Sequence, residues 1–223
     1  MNNVWFDSTG HAQNVSTSPE LDVYFREPTL TLLTPFPHLS ITVDNRTLQT
    51  NANGTLRAAL PWGVHEVSAP QVIAGGNGVR EVLVSWSDNL TSATRGINIG
   101  NNQTIGINYE RQYYLNVTSP YATTGGSGWY FAGETANATV QPTALFEEGF
   151  LGLLGVRRVF DHWTGDCSSN QPECVLTMTR PMQATATWKD DYTITLAIFT
   201  VVAIGIALAL LRRKKLRKRG LRS

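Results

Sequence analysis

The stretch from Thr193 to Leu211, TITLAIFTVVAIGIALALL, constrains this chain more than any other. It holds nineteen residues without a charge, Asn, Gln, His or Pro. At about 1.5 Å of rise per residue, a helix of that length covers roughly 28 Å, the hydrocarbon thickness of a bilayer. A buried core helix usually carries a polar stripe, and the only polar side chains here are Thr193, Thr195 and Thr200. A transmembrane helix over 192–211 is expected, with the lipid bilayer as its partner.

The flanks orient it. Arg212, Arg213, Lys214, Lys215, Arg217, Lys218, Arg219 and Arg222 follow at once, with no acidic residue among them. Lys189, Asp190 and Asp191 stand on the other side. The positive-inside bias keeps the tail, 212–223, in the cytoplasm and places residues 1–190 outside the cell membrane, as a single-pass protein. A basic run can also mark nucleic-acid binding. Directly beside an apolar span it reads as a stop-transfer anchor on anionic lipid heads. The overall charge of +1 hides an asymmetry: without the eight tail cations, ten basic residues face 17 acidic ones. An acidic exterior argues against nucleic acid as a partner.

Two further signals fit an exported chain. Seven Asn-x-Ser/Thr sequons, at Asn14, Asn45, Asn53, Asn89, Asn102, Asn116 and Asn137, all precede residue 140. They are candidate glycosylation sites, set against chance in a Thr-rich chain. Cys167 and Cys174 sit in GDCSSNQPECV, between two apolar runs. A disulfide would clip that loop, worth roughly 2–3 kcal/mol in the chain-entropy model. A zinc pair is the alternative, but no second Cys or His pair completes it.

The chain repeats itself. GVREVLVSWS at 78–87 and GVRRVFDHWT at 155–164 share Gly, Val, Arg, Val and Trp at an offset of 77. GVHEVSAP from Gly63 parallels GETANATV from Gly133, and QTIGINYERQYYLNVTSP parallels MQATATWKDDYTITL. A partial third copy opens the chain, so that Trp5, Trp86 and Trp163 recur. The expected organisation is the C-terminal half of a repeat over 1–29, then β modules over 30–111 and 112–190. Beginning mid-repeat without a secretory signal suggests the C-terminal part of a longer exported protein.

Within each copy the apolar residues alternate, as in half-buried strands. SITVDN, HEVSAP, REVLVSW, GINIG and TIGINYE are followed by YYLNVTS, ANATVQP, RRVFDHW, CVLTM and QATATWK. Turn residues separate them and no long helical period intervenes. The fold class expected is all-β: tandem small antiparallel modules followed by one C-terminal transmembrane helix. Trp86 and Trp163 are the expected core anchors, faced by Tyr109 and Trp188 from the last strand of each copy. Gly126–Trp129 reads as a turn.

One stretch breaks the pattern. QPTALFEEGFLGLLGV replaces the shorter VIAGGNGV of the first copy. Leu145, Phe146, Phe150, Leu151, Leu153 and Leu154 are too apolar for a free loop. They form either a short helix or loop over the sheet edge, or a patch for a partner domain or neighbouring subunit.

Chemical motifs are sparse. His11, His38, His65 and His162 lie far apart, and no GxSxG, HExxH, phosphate loop or EF-hand spacing occurs. Asp161, His162 and Asp166 around Trp163 are the one candidate cation cluster, and two carboxylates are few for calcium. No catalytic residue, metal or cofactor is expected.

GSGWY, then G-V-R-x-V-F-x-x-W-T-G-D, then VLTM-x-x-P-M-x-A-T-A-T-W-K resemble the repeats of large archaeal cell-surface proteins, which are similar to divergent internalin-type B-repeats. The resemblance covers 112–190 well and 30–111 more loosely, where SWSDN stands for W-T-G-D. It implies small β modules serving as stalks, adhesins or parts of a surface layer, with surface glycans or neighbouring surface proteins as partners. Two other functions are carried forward: the anchor of an extracellular enzyme such as a protease, and a glycan-binding module using Trp62, Trp129 and Tyr130.

Overall fold

The computed structural model describes residues 27–220, together with Trp5–Phe6 and Ala12–Gln13. Apart from those four residues and 27–29, the partial repeat expected over 1–29 lies outside the described residues, as does Asn14. The strands are short and numerous. β1 (Trp5–Phe6) pairs with β2 (Ala12–Gln13). Then come β3 (Thr29–Leu33), β4 (Ser40–Val43), β5 (Arg46–Gln49), β6 (Thr55–Ala59), β7 (Gly63–Ser68), β8 (Val72–Gly76), β9 (Val79–Trp86) and β10 (Thr94–Ile99). β11 (Gln103–Thr118) is the longest. It is followed by β12 (Thr123–Gly125), β13 (Gly128–Phe131), β14 (Thr135–Gln141) and β15 (Ala144–Phe146). A short helix α1 (Gly149–Leu153), strands β16 (Arg157–Gly165), β17 (Glu173–Thr177) and β18 (Met182–Asp191), and the long helix α2 (Thr193–Gly220) complete the chain. The fold is all-β with one C-terminal apolar helix, as the alternation implies.

The chain divides into two compact units, residues 1–67 with 94–105, and residues 68–93 with 106–223. In the first, β3 pairs with β6, and β10-β7-β4-β5 make a four-stranded sheet. Leu30 and Leu32, Ile41 and Val43, His65 and Val67, and Ile97 and Ile99 are buried. Their spacing of two puts one face of each strand inside. Asp44 and Asn45 both take left-handed φ (47° and 63°), the backbone a two-residue hairpin needs between β4 and β5.

The second unit contains a two-layer module. β13-β11-β18-β16-β15 form one sheet and β12-β14-β17 the other. Between them lie Leu115, Val117, Trp163, Ala184 and Ala186 from the first sheet and Ala136, Ala138, Val140, Cys174 and Leu176 from the second. β11 and β18 pair in parallel, Leu115 opposite Met182 through Thr118 opposite Thr185. The module's entering and leaving strands thus run the same way, a departure from purely antiparallel pairing that joins residues 67 apart. Gly126 turns the chain at φ 96°, but Gly128–Phe131 is strand and pairs with β11, so only the start of the expected Gly126–Trp129 turn is one.

Matching segments of the two copies pair alike. Against β11, Trp86 faces Ile107, Ser85 faces Asn108 and Leu83 faces Tyr109, so Val84 bulges out of the ladder. Against β18, Trp163 faces Ala186, His162 faces Thr187 and Phe160 faces Trp188, so Asp161 bulges. Val84 and Asp161 are themselves 77 residues apart, and a bulge at matching positions is a feature of the fold rather than a defect. The two tryptophans are also held alike. Trp86 Nε1 donates to the Ser92 carbonyl at 2.7 Å, and Trp163 Nε1 donates to that of Gln171 at 3.0 Å. The loop after Trp163 is longer, and the disulfide closes it.

Candidate membrane anchor and its junction with the β module

A single residue, Tyr192, separates the end of β18 from the start of α2. Asp191, the last residue of that strand, caps it: its Oδ1 accepts the Thr193 backbone N–H at 2.9 Å and also the Thr193 hydroxyl. The Arg157 guanidinium donates to the other carboxylate oxygen. The two Thr193 bonds, with the guanidinium third, hold the Asp191 carboxyl down to about 2. Arg157 sits opposite Asp191 in the β16–β18 ladder, so the sheet register itself delivers the cation to the helix cap. Next to it, Arg158 reaches Glu147 at 2.6 Å and Asp190 at 3.4 Å. Thr195 is buried and Ile194 half-buried, and from Leu196 to Lys214 every residue is exposed. Beyond its first turns this helix is apolar on all sides and uncovered by the described residues, the surface that a bilayer would accept. Thr193–Lys214 is long and apolar enough to cross one, and α2 continues beyond the expected end at Leu211 through the basic segment to Gly220.

Gly155 locks the junction. Its φ of 83° is left-handed, and a Cβ there would stand 2.6 Å from Ile194 Cγ2 and 3.5 Å from Ile198 Cδ1. Gly78, 77 residues earlier, has φ 77° and would place a Cβ 3.0 Å from Pro181 Cβ and 3.5 Å from Tyr114 Cβ. Both glycines end the turn of a β-hairpin, and both let that turn press on the element that carries the chain onward. Only glycine meets the two demands together, positive φ and no side chain.

The other residues singled out from the sequence fall as follows. Cys167 and Cys174 form a disulfide, with both residues buried in the module core. Trp86 and Trp163 are buried. Trp163 meets Phe160 at 5.6 Å with the ring planes tilted by 58°, and Phe160 in turn meets Trp188 edge-on at 6.3 Å. Trp188 is half-buried and donates to Ser119 Oγ at 3.0 Å. Tyr109 is half-buried too; its hydroxyl donates to the Pro70 carbonyl at 2.8 Å, and burial pushes it up to about 12. Asn45, Asn53, Asn89, Asn102, Asn116 and Asn137 are all exposed.

Asp161, His162 and Asp166 do not converge on an empty site. Lys189 Nζ lies 2.8 Å from Asp161 Oδ1, and the other oxygen meets His162 Nδ1 at 2.8 Å. The lysine first, then the histidine, hold the Asp161 carboxyl low. Asp166 accepts the Gln183 N–H at 2.7 Å and a charged bond from Arg180, in that order of effect on its lowered value. Among the described residues, no group of three His, Cys, Asp or Glu could hold a metal ion. Nor do the candidate aromatics of the second unit make an open platform. Arg80 lies over the Trp129 ring at 4.3 Å, Tyr114 meets its edge, and Tyr130 donates to the Gly126 carbonyl. Trp62, in the first unit, is 71% exposed.

Asp191 and Arg157 were missed as functional residues in the sequence. An Asp two residues before a Thr that opens an apolar run is a helix-start signal; its cationic partner is set by strand register and has no local signature. No family model, curated protein or solved structure matches the chain.

Proposed function

We infer that this is a non-catalytic, membrane-anchored surface protein, whose β modules stand outside the cell as a stalk or adhesion element. The basic tail lies in the cytoplasm. The observation that carries the reading is the junction: a β module whose last strand passes, through a capped and ion-paired joint, into an apolar helix that the described residues leave uncovered from Leu196 onward. Asp191 holds the first backbone N–H of the helix and Arg157 holds Asp191, so the joint is braced rather than left as a free linker. The parallel entering and leaving strands favour a chain that advances through the module in one direction. The resemblance to archaeal surface repeats, the disulfide and the exposed sequons point to the same compartment. Such a piece suits contact with surface-layer glycans or neighbouring surface proteins.

The test is fractionation of expressing cells. The full chain should stay in the membrane pellet through alkaline carbonate, and a chain ending at Asp191 should become soluble with its disulfide intact. Release of the full chain by carbonate would defeat the reading.

A further inference from the structure

We propose that the hairpin tip between β15 and β16, built on α1, is a second membrane contact: an apolar wedge that enters the outer part of the bilayer beside α2. It rests on the reading of α2 as a span. The equivalent tip in the first copy, between β8 and β9, is a tight Asn77–Gly78 turn with both residues at left-handed φ. The second copy replaces it with residues 147–156. The addition does not serve the core, for none of the residues of α1 is buried. Phe150 is 72% and Leu153 83% exposed, with Phe146 and Leu151 exposed beside them.

Height decides the occupant. Gly155 abuts Ile194 and Ile198, the second and sixth residues of the span, so the tip lies level with its first six residues. At 1.5 Å per residue the rise from Thr193 to Ile198 is about 7.5 Å of depth, within the roughly 5–10 Å to which interfacial helices bury their apolar face. The register agrees. Phe146 stands opposite Arg157, and Arg157 opposite Asp191, so the phenylalanine shares a row with the cap of α2. The ion pairs of Arg157 and Arg158 then form a charged collar where the headgroups would be, and the apolar tip projects past it. α1 itself carries no charge and its N-cap, the exposed Glu148, is acidic, so the tip offers lipid phosphates no cation and its apolar side chains make acyl chains the ligand. In the first copy the tip leans on Pro181 and Tyr114 of the next module; in the second it leans on the helix and on what surrounds that helix. Two contacts instead of one would fix the tilt of the module on the membrane.

The test uses the full chain in phosphatidylcholine vesicles, with the native disulfide kept. Spin labels are placed singly at Leu153→Cys, Phe150→Cys, Val202→Cys and Thr177→Cys, all exposed positions where a label should not disturb folding. Collision with oxygen marks lipid and collision with a water-soluble nickel chelate marks solvent. Labels at 153 and 150 should favour oxygen several-fold over the label at 177, approaching the one at 202. If 202 reports lipid while 153 and 150 report nickel, the wedge is wrong and the span stands. If 202 itself reports water, both fall. Labels at 153 and 150 shielded from both reagents, with spin–spin broadening, would mean that a second copy covers the patch, which also overturns the proposal.

Discussion

Replacing Trp163 by Phe tests whether the repeat tryptophan is the structural centre of its module. The side chain is 1% exposed, packs against the tilted Phe160 ring and gives its one polar hydrogen to the Gln171 carbonyl. Phenylalanine keeps one ring in place but leaves that carbonyl without its donor, a loss of about 1–3 kcal/mol. The missing ring removes buried apolar surface at about 25 cal/mol per Å², adding roughly 1 kcal/mol. A destabilisation of about 2–4 kcal/mol is expected, approaching the ~3–5 kcal/mol of a full Trp→Ala truncation in a core. The assay is pulse proteolysis of the full chain in micelles across a urea series, reading the fraction of module left intact. Trp62→Phe, at a site 71% exposed, serves as the control and should stay within about 0.5 kcal/mol. If Trp163→Phe shifts the urea midpoint no more than Trp62→Phe, the packing account of the repeat is refuted.

Other expectations follow from the same geometry. Cys167→Ser with Cys174→Ser opens a loop whose ends are 7 residues apart, which should cost about 2–3 kcal/mol in the module that holds it; equal urea midpoints for the two proteins would contradict this. His65 Nδ1 faces Asp44 and Nε2 faces the Pro61 carbonyl at 2.8 Å, two acceptors that favour the protonated ring and raise its value, Asp44 first. Asp44 is lowered in return, again mainly by His65. The histidine's contribution is complete below its ordinary 6.5 and fades as pH rises through the raised value. That of Asp44 is complete above its ordinary 3.8 and fades as pH falls through the lowered one. The first unit should therefore melt highest between about pH 4 and 6.5 and lower at pH 8. Asp44→Asn should flatten the slope from pH 6 to 8, and an unchanged slope would show that another group causes it. Gly155→Ala should loosen the junction, seen as faster amide exchange over 147–156 and the first turn of α2, with the Trp163 core unaffected; unaltered exchange would show that the glycine is not required.

Much of this molecule is written locally, and the parts that are not share one cause. The C-terminal apolar helix was legible because composition alone defines it. The strands around Trp86 and Trp163 were legible because alternation and repetition agree. β11 was not: Glu110-Arg111-Gln112 looks like a polar break between modules, yet the strand runs straight through. Arg111 pairs with Glu81 at 2.7 Å and Gln112 accepts from Arg80 at 2.8 Å, each from the opposite residue of β9. Polar residues that satisfy one another across a ladder read as a loop until the register is known. The parallel pairing of β11 with β18 was hidden for the same reason, and so was the partner of the Asp191 cap. Gly155 was visible as part of a repeated motif, but its purpose needed Ile194 in space. The α1 tip was recognised as too apolar for a free loop; its depth beside the helix is purely tertiary.

The central claim is that the β modules and the basic tail lie on opposite faces of one membrane. Protease added to intact cells expressing the chain with an epitope after Ser223 tests it most directly. The account predicts that fragments carrying the Trp86 and Trp163 segments are shaved away while a small, membrane-bound fragment keeps the epitope. Loss of the epitope with both segments left whole would contradict it.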